Sequence, residues 1–426
     1  MIVQKRDLKL YALLGCLFWF FGMNFVLREL NADPLAVAVN YVLYISLSSL
    51  LVYYLIFQPG ILKYYKLNRI YNGVVKIVVL YFIYAALQLI INPEADDFKY
   101  LLRNYSVVMP SFALSIFIGL FAIRGSIGVN GIVRWIISIM FLVVFYSEFA
   151  SVNIGAGSAE DFRTEGVFAQ ANNYGYFLAL LAIIITGSIA GHLKLFRYSY
   201  FSYGLLLLTL ILILRTGSYG ALLVAIASIF YLYFKSTKSI TVTRLATSVF
   251  GVLFLGVALF FLSSQIQSSR VDALRASLLG NSQQENVTDV STFDVRYFLL
   301  INGFNSFLED PLFGKGISGR NILIPGELRP RPVHNVYVVE LMKGGLVGFI
   351  IFALIYFRLW KLIRGIHYLP WKRLCYVLFF YMLFIDNTLT YSSFLSMNAG
   401  VIAVAIIFLV IFQDYKIQRA YQGSLN

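Results

Sequence analysis

An all-α membrane protein, crossing the bilayer about twelve times and carrying one large external loop, is the fold class this sequence predicts. Three observations predict it. Hydrophobic residues fill 60% of the 426 positions and charged residues only 13%, where a soluble domain has about a quarter charged. Apolar runs of about 18 to 25 residues recur along the chain, each long enough to cross a hydrocarbon core of about 30 Å. One long polar interval interrupts them, at 265–335.

The runs fall near 10–27, 35–57, 74–92, 105–123, 131–150, 172–191, 199–214, 217–234, 245–264, 336–360, 374–390 and 396–413. The first follows Lys5, Arg6 and Lys9 without a small-residue cleavage site, so it is expected to be a retained span. Only Arg215–Gly217 separate the seventh and eighth, which demands a tight re-entry. The tenth contains Gly344-Gly345, a pattern that fits a short surface helix followed by the true span. A single transmembrane domain over 1–426 is expected, with 265–335 as the loop between spans nine and ten.

Basic residues set the orientation. They crowd alternate connections, among them Lys63, Lys66 and Arg69, then Lys235 and Lys238, then Arg358 to Arg373, together with both termini. The positive-inside rule puts these in the cytoplasm and the long loop outside. The same bias accounts for the net charge of +14, so nucleic acid is not an expected partner. Cys16 and Cys375 fall inside spans, which implies neither a disulfide framework nor a metal site.

Within the loop, Gln265–Asp289 is polar, with a short helix expected around Val271–Leu279. Phe293, Arg296, Leu299, Leu300, Phe304 and Phe307 recur at helical spacing over Thr292–Leu308, as in an amphipathic helix at a membrane interface. Asp310-Pro311 ends it. Gly314, Gly316 and Gly319, then Pro325, Pro330 and Pro332, mark irregular backbone.

His334 closes the loop and is the one histidine expected outside; His192 and His367 fall in cytoplasmic connections. An imidazole titrating near pH 6.5 can accept a proton at neutral pH. The competing reading is that His334-Asn335 caps the next helix, since Asn is a good N-cap. Arg163, Arg215 and Arg296 lie at or just beyond the outer ends of spans. Guanidinium groups bind phosphate bidentately and stay charged, so several together could hold a diphosphate leaving group. The competing reading for each is contact with lipid headgroups. Arg329 and Arg331 flank Pro330 and are open to both readings. Asp386-Asn387 and Glu148 are acids near the outer ends of spans. No phosphate-binding glycine loop, dinucleotide fingerprint, zinc spacing or paired-carboxylate motif is present.

Four local patterns, in this order, resemble the bacterial O-antigen ligase and O-antigen polymerase superfamily. They are Phe162-Arg163-Thr164-Glu165-Gly166-Val167-Phe168 with Asn172-Asn173; Leu214-Arg215-Thr216-Gly217-Ser218-Tyr219-Gly220-Ala221; Asp294-Val295-Arg296 leading to Asp310-Pro311-Leu312-Phe313-Gly314-Lys315-Gly316; and His334-Asn335-Val336-Tyr337 with Gly345 and Gly348. The resemblance covers about 155–350. It departs at one point: Tyr219 stands where the family's Ser-Arg-Gly pattern has arginine, and Arg215 lies about one helical turn earlier.

The resemblance implies a glycosyltransferase of the bacterial inner membrane, with both termini cytoplasmic and the large loop periplasmic. It implies transfer of a glycan from undecaprenyl diphosphate, without metal or other cofactor, to the hydroxyl of a lipid-linked repeat unit. That makes the chain a polymerase of O-antigen, capsule or exopolysaccharide. A ligase transferring polymer to lipid A core is the alternative, and a transporter or flippase a further one. His334 is then the catalytic base, and Arg296, Arg215 and Arg163 the diphosphate ligands. Tyr219, Asn335, Tyr337, Arg329 and Arg331 are further candidates for substrate contact. The implied partners are the lipid-linked oligosaccharide, membrane lipid and a chain-length regulator protein.

Overall fold

The computed structural model describes residues 5–20, 33–57, 71–91, 106–124, 127–153, 171–196, 198–236, 292–316, 321–324, 330–388 and 399–423. Its helices are α1 Lys5–Phe18, α2 Asp33–Phe57, α3 Lys76–Ile91, α4 Ser106–Arg124, α5 Val129–Asn153, α6 Ala171–Ile189, α7 Ser199–Arg215, α8 Tyr219–Ser236, α9 Thr292–Glu309, α10 Val336–Arg364, α11 Leu369–Asp386 and α12 Ala399–Gly423. A π-helical turn, Tyr71–Val75, leads into α3. Two-residue strands β1 Asn321–Ile322 and β2 Arg331–Pro332 pair antiparallel.

Among the described residues five helices are long and apolar enough to cross a membrane: Gly73–Ile91, Val129–Glu148, Asn172–Ile189, Val336–Arg364 and Ala399–Gln418. Shorter apolar helices cover Lys9–Phe18, Ala38–Leu50, Pro110–Ala122, Tyr200–Arg215 and Tyr219–Lys235. The protein is an all-α membrane protein. Span nine, the Val271–Leu279 helix, Arg163 and Arg329 lie outside the described residues.

Two of the boundaries that differ from the sequence reading have a local cause. α11 begins at Leu369, five positions before the expected start, because Leu369-Pro370 opens the helix and proline is tolerated in a first turn. α12 runs on to Gly423 through a polar stretch that hydropathy does not count as span.

The chain divides into two compact units. One comprises Met1–Ala36, Phe121–Glu285 and Tyr368–Tyr381; the other Val37–Leu120, Asn286–His367 and Met382–Asn426. In the first, α6 is the core: Phe177 through Ile185 are fully buried, as a helix apolar on all sides requires. α7 and α8 both pack against it. The re-entry between them is Thr216–Ser218, turned by Gly217 at φ 62°. Gly175 of α6 lets that turn approach, since a Cβ there would stand 2.6 Å from the Ser218 Cβ and 2.9 Å from the Thr216 hydroxyl.

In the second unit, α10 packs against α9 and α3. The α9 contact centres on Gly303, where a Cβ would meet Val338, Met342 and Val333 at 2.9 to 3.1 Å. Leu299, Val333, Val339 and Met342 form the buried cluster beneath, with Ile322 of β1 at its edge.

α10 is broken at Gly345, with φ 57° and ψ −161°, a region that in practice only glycine occupies. The tenth span is therefore found in two helical parts, as expected, meeting at a kink at Gly345. The motif after α9 fills the break. The N–H groups of Lys315 and Gly316 donate to the carbonyls of Met342 and Lys343 at 2.8 and 3.1 Å. Those of Leu346 and Val347 donate to the carbonyls of Pro311 and Leu312 at 2.8 and 3.2 Å. The Tyr84 hydroxyl caps the Gly344 carbonyl at 2.6 Å, and Gln88 holds the Phe313 carbonyl at 2.8 Å. Backbone groups opened inside a span need such partners, because lipid offers none.

Candidate functional site

The second unit assembles three of the residues singled out in sequence. Arg296 lies in the second turn of α9. Arg331 comes from β2, where it pairs with Ile322. His334 sits between two anchors, Val333 and Val336, each 1% exposed. This arrangement leaves the imidazole half-buried. Burial, and then the charges of Arg296 and Arg331, push its pKa below the ordinary histidine value. The ring is therefore neutral at physiological pH, with a nitrogen lone pair able to accept a proton.

Asn335 and Tyr337 fix the segment. Asn335 is the N-cap of α10, accepting from the Val338 N–H at 3.1 Å. Its amide donates to Asn387 at 2.7 Å, and the Tyr337 hydroxyl donates to the Leu383 carbonyl at 2.9 Å. The capping reading of His334-Asn335 thus holds for Asn335, while the histidine is a neighbour of two cations. Asp386 is fully buried and accepts from the Tyr356 hydroxyl, so the structure supports a packing role for it.

Sequence reasoning missed a second polar cluster in this unit. Glu340, 6% exposed, accepts from the Tyr81 hydroxyl at 2.7 Å and from Lys343 at 3.2 Å. The signal was available: an acid and a base three residues apart within an apolar run face the same side of a helix.

In the first unit Arg215 ends α7, where a cation suits the negative end of the helix. It is not a bare charge. Its guanidinium pairs with Glu148 of α5 at 2.5 Å, and the other Glu148 oxygen accepts from the Tyr174 hydroxyl of α6 at 2.9 Å. Tyr219 opens α8 and is 38% exposed. His192 is buried at 4% exposure, and its pKa is lowered chiefly by that burial.

Comparison with known families bears on these elements. Residues 204–353 match the family model described as O-antigen ligase. A comparison with curated proteins found no match. The matched segment runs from α7 into α10 and includes Arg215, Arg296, Arg331 and His334, whereas Arg163 precedes it. Over residues 204–353 the chain is thus similar to the O-antigen ligase family.

Proposed function

We propose that the protein is a surface-polysaccharide polymerase of the bacterial inner membrane, with its large loop periplasmic. The observation that carries this reading is the half-buried imidazole of His334, lowered in pKa by burial and then by Arg296 and Arg331, at the head of a helix inside the matched segment. A group-transfer site needs that pairing: a neutral base for the attacking group and cations for the departing one.

In this reading the acceptor hydroxyl oxygen bonds to the anomeric carbon of the donor glycan as its proton passes to a His334 ring nitrogen. The bond between that carbon and the polyprenyl diphosphate oxygen breaks. The diphosphate leaves with the bonding electrons, and its growing charge is met by Arg296 and Arg215, with Arg163 as a third ligand. Tyr219, Asn335, Tyr337, Arg329 and Arg331 supply the remaining polar surface. The donor is an undecaprenyl-diphosphate-linked oligosaccharide and the acceptor a lipid-linked repeat unit. A chain-length regulator is the expected protein partner.

The description of the matched family favours a second reading, transfer of finished polymer onto lipid A core. Deleting the gene separates the two. A polymerase mutant displays single repeat units, and a ligase mutant accumulates long unattached polymer. His334→Ala should then lower glycan transfer by about 10²- to 10⁴-fold in membranes holding normal amounts of protein. Undiminished chain growth would remove His334 from the chemistry.

A further inference from the structure

Glu148 is an acid at the end of an apolar helix, and the transfer chemistry above gives it no task. Three helices of the first unit meet at its carboxylate. One oxygen takes an Arg215 N–H at 2.5 Å, and the other takes the Tyr174 hydroxyl at 2.9 Å. Tyr174 is fully buried in the first turn of α6, the core helix of the unit. The turn that follows the arginine is fixed as well. Thr216 bonds back to the Ile213 carbonyl at 2.7 Å. It also accepts the Ser218 N–H at 3.2 Å, in the turn that nests on Gly175.

The pair is asymmetric. The Glu148 side chain is 21% exposed and that of Arg215 41%. A guanidinium carries five N–H donors in a rigid fork, and this contact engages one terminal nitrogen. The carboxylate is thus held by a tyrosine as well as by the arginine, and the arginine is the more exposed partner of the pair. An ion pair built only for stability gains little at such exposure. A cation that must present its fork to an anion gains directly, because a contact about 1 Å out of place can cost about a hundredfold in rate.

We propose that Glu148, braced by Tyr174, is a positioning residue for Arg215, fixing the direction in which its guanidinium meets the lipid diphosphate. The inference rests on the reading of Arg215 as a diphosphate ligand. The carboxylate also offsets the guanidinium's positive charge, so the donor is held less tightly in the ground state than a bare arginine would hold it.

The test uses the purified full-length protein in detergent with a synthetic polyprenyl-diphosphate-linked saccharide as donor. Glu148→Gln and Glu148→Ala should each lower kcat about ten- to a hundredfold without raising the donor KM. Tyr174→Phe should lower kcat by a smaller factor. The double variant Glu148→Ala with Arg215→Ala should be no slower than Arg215→Ala alone, because positioning has no object once the arginine is gone. Unchanged kcat in Glu148→Gln overturns the proposal, as does a double variant whose losses multiply. If Arg215→Ala itself keeps full kcat and KM, the diphosphate role of Arg215 fails and this inference falls with it. If Arg215→Ala is slow and Glu148→Gln is not, only the positioning role is lost.

Discussion

The two units treat their cations in opposite ways. At the end of α7, Arg215 meets a carboxylate, and that carboxylate is held by a buried tyrosine. At the head of α10, burial and then the charges of Arg296 and Arg331 lower the affinity of an imidazole for a proton. The first arrangement fixes the direction of a charge. The second sets the protonation state of a base.

The comparison can be broken at four places. Arg296→Ala should have the largest effect, lowering transfer by about 10²- to 10³-fold in a donor turnover assay, since it removes a preorganised donor from the leaving group. Gly345→Ala comes next. Its Cβ would strike the Leu312 backbone, and the strained φ/ψ adds about 1 to 3 kcal/mol. A lowered thermal midpoint in detergent, with less transfer per cell, is expected. A variant as stable as the parent would mean that α10 tolerates an unbroken course.

Arg331→Gln tests the imidazole more gently. The His334 pKa lies below about 6.5, the ordinary value. The neutral, active form therefore grows as pH rises through a point on the acid side of that value and is complete above it. Removing one depressing cation should move this inflection to higher pH in a pH–rate profile of the purified protein. An inflection that stays in place would show that Arg331 has no part in setting it. Tyr84→Phe should have the smallest effect, a loss of about 1 kcal/mol from the uncapped Gly344 carbonyl, read as a modest fall in thermal midpoint.

Much of this was legible in sequence, because membrane helices announce themselves by length and hydropathy. The α7–α8 re-entry followed from three residues too polar and too few for a loop. Thr292–Leu308 was legible as a helix from its spacing, and the structure places it at Thr292–Glu309. The break in α10 was half legible. Gly344-Gly345 marked it, but nothing local indicated that residues 311–316 complete its backbone, since that pairing joins groups about thirty positions apart in the chain. The Arg215–Glu148 pair was hidden for the same reason: |i−j| is 67, and no periodic pattern carries such a contact. Glu340 with Lys343 was a local signal that hydropathy averaged away.

The interrupted ladder of α10 has a consequence for biogenesis. A continuous apolar helix can enter the bilayer as soon as it is synthesised, complete in itself. This one cannot reach its final form alone, because four of its main-chain groups find partners in a segment made earlier and one cap, the Tyr84 hydroxyl on the Gly344 carbonyl, comes from a helix made earlier still. Residues 311–316 and α3 must therefore already be in place and waiting when α10 emerges. Any lesion that delays either leaves bare amides in hydrocarbon, the species that membrane quality control removes.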